Sequence, residues 1–254
     1  MAGIWLLPAV SPRVGWFVVI TLGFFLGSVP FCHLLPRVFM GKDICALSDD
    51  GNPGAANVFK LCGVPMGILC LVCDLGKGFL PVFAAERMMA AFPPPALTTV
   101  GADAFDIRFG LAIAAPVVGH AMGIFRGFKG GKAIAASFGA LVGLLFAKPM
   151  SPAVFVLAAL YILFSTLIKI YPNRRRSILT FILFALIGGG YSVMTGMISV
   201  ALGCAIISAV VIYKHATAPL TEKELAQMEK GRQLSSTNSA STNSVSTNSA
   251  SAGK

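Results

Sequence analysis

Charge is scarce in this sequence, and acid scarcer still. Only 12% of its 254 residues are charged, with 10 Asp and Glu against 20 Lys and Arg. Soluble globular domains carry about a quarter charged residues. With 56% hydrophobic residues and a mean hydropathy of +0.80, the composition excludes such a domain and indicates a membrane protein. Histidine is also sparse: His33, His120 and His215 are the whole supply, and no HExxH occurs, so a zinc enzyme of that kind is excluded and neither metal nor cofactor is expected. A P-loop is lacking too. Residues 1–11 have no basic n-region and no small-residue cleavage site follows them, so the first apolar run reads as a retained span rather than a removed leader. The six cysteines lie in or beside apolar runs, and the CxxC of Cys70 and Cys73 has no second CxxC to match it. That pattern reads as buried thiols in packing. The net charge of +10 does not imply nucleic acid, because the basic residues sit in short loops where membrane topology and anionic lipid account for them.

Long apolar runs are abundant. A hydrocarbon core takes about 20 helical residues to cross, and runs at residues 15–36, 64–89, 108–125, 132–147, 152–171, 177–191 and 195–213 predict an all-α bundle of about seven transmembrane helices. Gly23 and Gly27 in the first run form a GxxxG, which lets a second helix approach closely. Cytoplasmic loops collect Lys and Arg. Arg37, Lys42 and Lys60 follow the first run, residues 90–107 add only neutral and acidic residues, and Arg126, Lys129 and Lys132 follow the third. Lys148 stands alone after the fourth, and Lys169, Arg174, Arg175 and Arg176 follow the fifth. This alternation predicts an outside N-terminus, a cytoplasmic C-terminus and cytoplasmic motif loops. The membrane domain is expected over residues 1–214 and a short cytoplasmic helix over 215–232, with Thr221 and Glu224 spaced as a capping box. The repeats STNSA, STNSV and STNSA cannot bury enough apolar surface to offset ordering entropy, so residues 233–254 are expected to be disordered.

Three stretches carry more than an anchor loop needs. In HAMGIFRGFKGGKAIAASFG, residues 120–139, Lys129 and Lys132 flank Gly130 and Gly131 where one apolar run ends and the next begins. Residues without Cβ let the backbone approach a ligand, and the unpaired N–H groups of a helix start attract an anion. The lysines add full positive charges. In SDDGNPGAANVFK, residues 48–60, Pro53 suits the first turn of a short helix capped by Asn52, which would set Asn57 and Lys60 one turn apart on one face. In CDLGKG, Asp74 and Lys77 lie three residues apart inside an apolar helix and can neutralise each other, and ionisable residues at such depth are candidates for function. His120, one turn from the end of its run, is a candidate phosphate ligand or proton relay beside the loop lysines.

Taken in order, GNPGAANVFK, CDLGKG and GHAMGIFRGFKGGKAIAASFG resemble the bacterial PlsY family of acyl-phosphate:glycerol-3-phosphate acyltransferases over about residues 23–214. The resemblance implies a multi-pass enzyme of the bacterial cell membrane with its active site facing the cytoplasm. It implies transfer of an acyl group from acyl phosphate to the 1-position of glycerol 3-phosphate, forming lysophosphatidic acid, the first step of phospholipid synthesis. The implied partners are those two substrates and membrane lipids, with no cofactor, no metal and a monomeric chain. By matching position, the resemblance implies that Asn52, Gly54, Asn57, Lys60, Lys77, Lys129, Gly130, Gly131 and Lys132 bind substrate and phosphate, that His120 is catalytic and that Asp74 balances charge; Asp50, expected beside the acceptor hydroxyl, is a candidate catalytic residue and Arg174 a candidate phosphate ligand. The HxxxxD signature of the other large glycerolipid acyltransferase class is absent.

The sequence departs from the family pattern at identifiable places. Asp50 stands where GSGNxGATN has serine, Ala56 where it has threonine, and KGGKAIAA replaces KGGKGVAT. A third motif survives as YPNRRRS, with Tyr171, Arg174 and Ser177. A carboxylate added beside an anion site is expected to need a compensating cation, from Arg174, Arg175 or Arg176. The alternative function is an inactive relative that binds or transports a phosphorylated lipid precursor. A solute transporter is disfavoured because no inverted halves with matching broken helices occur.

Overall fold

The computed structural model describes residues 12–91, 106–146, 150–222 and 224–226, and among them there are helices and no strand. The helices are α1 (Pro12–Ser28), α2 (Phe31–Met40), α3 (Ile44–Leu47), α4 (Ala55–Cys62), α5 (Val64–Ala91), α6 (Ile107–Met122), α7 (Ile134–Gly143), α8 (Ala153–Ile162), α9 (Asn173–Phe184), α10 (Gly190–Met194) and α11 (Ile198–Ala216). Short π-helical segments extend α8 at Leu163–Leu167 and α9 at Ala185–Gly189. Among the described residues, four helical stretches are long and apolar enough to cross a membrane: Val64–Met89, Ile107–Arg126, Asn173–Met194 and Ile198–Ala216.

The first expected span is not one straight helix. Arg13–Ser28 and Phe31–Met40 meet at a 46° bend, and Pro30 stands in the break. Proline removes a backbone donor and pushes the residue before it, Val29, out of the helical region, so the ladder cannot run through. The expected spans at 132–147 and 152–171 are apolar helices too short to pass the same length criterion, Ile134–Phe146 and Ala153–Leu167.

Small residues bring the helices together. Gly27 faces the backbone of Pro116 and Gly119 faces that of Phe24, so a Cβ at either would collide with the opposite main chain. This is the close α1–α6 approach that the GxxxG predicts. The α5–α7 crossing repeats the device with Gly78 against Ala136 and Gly139 against Leu75. Ile113, Val117, Leu141, Leu144, Leu157, Phe181, Phe184 and Ile207 fill the buried interior, while Phe17, Leu22, Phe155 and Leu186 stay on the outer surface, as lipid-facing residues do. A second small core of Cys32, Ile44, Val58 and Cys70 ties α2, α3 and α4 to α5. It anchors the loop that carries Asp50.

Residues 218–254 form a separate unit. Within it Thr221 N donates to Glu224 Oε2 at 3.0 Å and Glu224 N donates to Thr221 Oγ1 at 3.3 Å, a reciprocal capping box. The expected tail at 233–254 lies outside the described residues.

Candidate active site

The loop after α6 is shaped by left-handed backbone. Gly123 (φ 60°) closes α6 by donating its N–H to Gly119 O at 2.8 Å, and Gly127, Phe128 and Ala133 also have positive φ. The chain therefore doubles back until Gly131 N reaches His120 O at 3.1 Å. Gly130 lies against the carbonyls of His120 and Ala121, and Gly131 against the His120 imidazole, with no room for a Cβ at either. The paired glycines thus have a reason beyond ligand approach: they let the lysine loop lie on the end of α6. Ala133 then holds a left-handed conformation as the residue before α7, at the position where the family pattern has glycine, which adopts it without strain.

Beneath this loop lies a buried polar cluster. Lys77 Nζ is 2.8 Å from Asp74 Oδ1 and donates to Val29 O at 2.7 Å, a carbonyl available because the helix breaks at Pro30. Cys32 Sγ donates to Asp74 Oδ2 at 3.1 Å. His120 Nδ1 stands 3.9 Å from Asp74 Oδ1 and has no hydrogen-bond partner among the described residues. The side chains of Asp74 and Lys77 are 2% and 1% exposed, so each charge depends on the other for compensation. Asp74, Lys77, His120, Arg126, Lys129, Gly130 and Gly131 all line one cleft.

The Asp50 loop is built separately. Asp50 Oδ1 accepts from Asn57 Nδ2 at 2.8 Å and Asn52 N at 3.2 Å, and Asn57 Nδ2 also donates to Asn52 O at 2.8 Å. Asp50 Oδ2 accepts from Lys132 Nζ at 2.8 Å. Burial raises the Asp50 pKa, but the hydrogen bond and charge of Lys132, then Asn57 and the Asn52 N–H, outweigh it and hold the carboxyl below the usual carboxylate range.

Three sequence expectations change here. The cation facing Asp50 is Lys132, not an arginine of the 174–176 run, because the lysine loop folds back far enough to reach it. Gly54, not Asn52, precedes the first turn of α4, with no side-chain cap, since the Asp50–Asn57 network keeps residues 50–54 out of the helix. Gly54 packs so closely on the Asn52 amide that a Cβ there would strike it. Lys60 is exposed on α4, while the Asn57 amide one turn away is taken up by Asp50 and Asn52 O, so it is not a free ligand group beside Lys60. Lys60 and Arg174 do not line the cleft, and neither do Lys132 or Asp50, Asn52, Gly54 and Asn57, whose loop reaches it only through Pro53. Cys32 and Arg126 line it without having been singled out: a thiol in an apolar run and an arginine in a basic loop carry no distinguishing signal.

Comparison with known proteins bears on this arrangement. The family profile described as Glycerol-3-phosphate acyltransferase matches residues 17–220. A glycerol-3-phosphate acyltransferase of Thermotoga petrophila is 37% identical over 126 residues, 50% of this chain and 57% of the relative. One of Anaeromyxobacter dehalogenans is 36% identical over 129 residues, 51% of this chain and 59% of the relative. One of Pseudomonas paraeruginosa is 35% identical over 148 residues, 58% of this chain and 67% of the relative. The chain thus spans between about half and two thirds of these relatives' lengths. The crystal structure of PlsY (YgiH), an integral membrane glycerol 3-phosphate acyltransferase, in its glycerol 3-phosphate form shares the fold at a TM-score of 0.63 and 23% identity, over 85% of this chain and 93% of that one. The match to the family profile runs through the cleft, the Asp50 loop and most of the helical bundle, and the chain belongs to the glycerol-3-phosphate acyltransferase family.

Proposed function

We propose that this protein transfers an acyl group from acyl phosphate to the 1-hydroxyl of glycerol 3-phosphate, forming lysophosphatidic acid and inorganic phosphate. The observation that carries this reading is the convergence of Lys77, Arg126 and Lys129 on one cleft with His120. Acyl phosphate is already activated, so the protein mainly has to hold two anions together and offset their repulsion. Relatives bear the acyltransferase name, and the structurally similar protein was solved in glycerol 3-phosphate and lysophosphatidic acid forms.

In this scheme Lys129 and the Gly130 backbone take phosphate oxygens, with Arg126 and Lys77 adding positive charge deeper in the cleft. The acceptor hydroxyl oxygen attacks the acyl carbon, the bond from that carbon to the phosphate oxygen breaks, and the phosphate leaves with its electron pair. The His120 imidazole takes the hydroxyl proton, and Asp74, 3.9 Å from its Nδ1, stabilises the imidazolium that forms. Asp50, fixed as a carboxylate by Lys132, orients the acceptor hydroxyl. Asn52, Gly54 and Asn57 hold Asp50 in place, while Lys60 and Arg174 supply positive charge outside the cleft. The loop-charge alternation supports a cytoplasmic site in the cell membrane, with lipid around a monomeric chain.

One observation favours a second reading. Lys132 is already bound to Asp50, which removes one cation from the anion site and fits a relative that binds a phosphorylated lipid precursor without transferring an acyl group. Purified protein given acyl phosphate with and without glycerol 3-phosphate decides between them. Phosphate release that depends on glycerol 3-phosphate supports the transferase, and its absence in folded protein overturns it.

A further inference from the structure

Outside the cleft, a second group of side chains converges just before the Asp50 loop. Gly41, in the left-handed region at φ 64°, ends α2 and turns the chain back, and the Lys42 ammonium pins the turn to Leu61 O at 2.6 Å. His33 on α2 thereby meets Asp43 and Cys45 at the start of α3: His33 Nδ1 is 3.5 Å from Asp43 Oδ1 and 3.8 Å from Cys45 Sγ. One ligand atom from each of the three lies within 4.8 Å of the others. A tetrahedral zinc ion, with bonds of about 2.0–2.3 Å to nitrogen, oxygen and sulfur, separates its ligands by roughly 3.3–3.6 Å. The two edges from His33, 3.5 and 3.8 Å, are close to that.

We propose that His33, Asp43 and Cys45 bind one divalent transition-metal ion of the zinc class, which clamps α2 to α3 in front of the Asp50 loop. A thiolate ligand disfavours magnesium and calcium, and a mixed sulfur, nitrogen and oxygen set suits a borderline ion, with water completing the tetrahedron. The Asp43 carboxylate is already oriented, since Oδ1 accepts from Cys45 N at 3.0 Å and Ala46 N at 3.3 Å. The nearby charges are Arg126, Arg37 and Asp50. Thiolate and carboxylate neutralise the dication; Arg126, which donates through Nη1 to Lys129 O at 2.7 Å, also reaches the Cys45 sulfur, so the metal takes that acceptor from it. A thiol gives up its proton to become a ligand, so metal uptake releases a proton and strengthens as pH rises. No motif marks this set in the sequence, because the turn at Gly41, not spacing, brings His33 to the other two.

Cobalt(II) is the probe. Full-length purified protein, stripped with chelator and titrated with cobalt, is expected to take one equivalent and develop thiolate-to-cobalt charge-transfer absorption that Cys45→Ser abolishes. Zinc affinity by chelator competition is expected to fall more than about a hundredfold in Cys45→Ser and His33→Ala, beyond the 10–100-fold typical of losing a supporting partner. Asp43→Asn, which keeps the α3 cap, is expected to weaken it by a smaller factor. Absorption that is absent from the parent, or that persists in folded Cys45→Ser, overturns the site. If the variants do not give monodisperse protein, X-ray absorption on the zinc-loaded parent decides: one sulfur with nitrogen or oxygen neighbours supports the site, and several sulfurs or none overturn it. Substrate is absent from every step, so the result stands apart from whether acyl transfer occurs.

Discussion

Lys132 donates to Asp50 across 82 positions of sequence at 2.8 Å, with the two side chains 28% and 17% exposed. The carboxylate that departs from the family's serine has therefore captured a lysine of the glycine-lysine loop, and the two motifs are held together by that pair. In Asp50→Asn the amide keeps the size but removes the charge. The loss of a charged hydrogen bond corresponds to about 1.5–3 kcal/mol, roughly tenfold to a hundredfold in kcat/KM. If Asp50 orients the acceptor, glycerol 3-phosphate-dependent phosphate release should drop by that factor while the variant stays folded at the assay temperature. Equal rates in parent and variant would remove Asp50 from the reaction. If the parent is silent, Asp50→Ser with Ala56→Thr is the pair expected to gain activity.

The same ion pair makes stability depend on pH in a defined direction. The folded Asp50 carboxyl titrates below its ordinary range, and an unfolded Asp titrates near about 3.9. The folded state thus favours the ionised form. Its contribution is complete above the unfolded value and is lost as pH falls toward the lower folded value. Thermal unfolding in detergent, measured from about pH 6 to about pH 3 across these values, should show parent and Asp50→Asn converging at the acid end. A constant gap throughout would mean that the pair adds no linkage.

Gly130 and Gly131 touch the end of α6 so closely that a methyl group at either position meets His120 or Ala121. Gly130→Ala and Gly131→Ala should each lift the loop off α6 and misplace Lys129. A displacement near 1 Å at a reacting centre lowers rate on the order of a hundredfold, so large rate losses are expected with helix content retained. Near-parental kinetics in both variants would show that the loop adjusts freely.

How much of this was legible beforehand follows from the range of each interaction. The helical class, the GxxxG crossing and the Asp74–Lys77 pair are local or compositional, and a sequence shows them directly. The bend at Pro30 was also local, but a run of apolar residues on both sides concealed it. Asp50 with Lys132, and Cys32 with Asp74, are long-range pairs created by folding. Arginines 174–176 looked like the natural counter-ions to Asp50 because they cluster, whereas reach was decided by the doubled-back loop. The glycine pair, which in sequence suits a ligand cradle, is also a contact with His120, since the backbone that lies opposite a glycine is set by the fold and not by its neighbours in sequence. Ala133, in the left-handed region where the pattern has glycine, shows the same gap: the departure was visible, its strain was not.

The buried pair on α5 separates structural need from substrate use. Asp74 and Lys77 lie 2.8 Å apart and almost wholly out of solvent, with Lys77 also tied to Val29 O across the break between α1 and α2. Removing one partner of such a pair leaves an uncompensated charge and typically costs 3–5 kcal/mol, whereas removing both is often close to neutral. Lys77→Met should therefore unfold at markedly lower temperature than the parent, and Asp74→Asn with Lys77→Met should recover most of the loss. If Lys77 serves only to neutralise Asp74, the recovered double variant should also recover its rate. The proposed function predicts otherwise: Lys77 lines the cleft beside His120, so the double variant should fold like the parent and still use phosphorylated substrate poorly. Thermal unfolding and initial rates on the same preparations distinguish the outcomes, and parental rates in the stable double variant would remove Lys77 from the anion site.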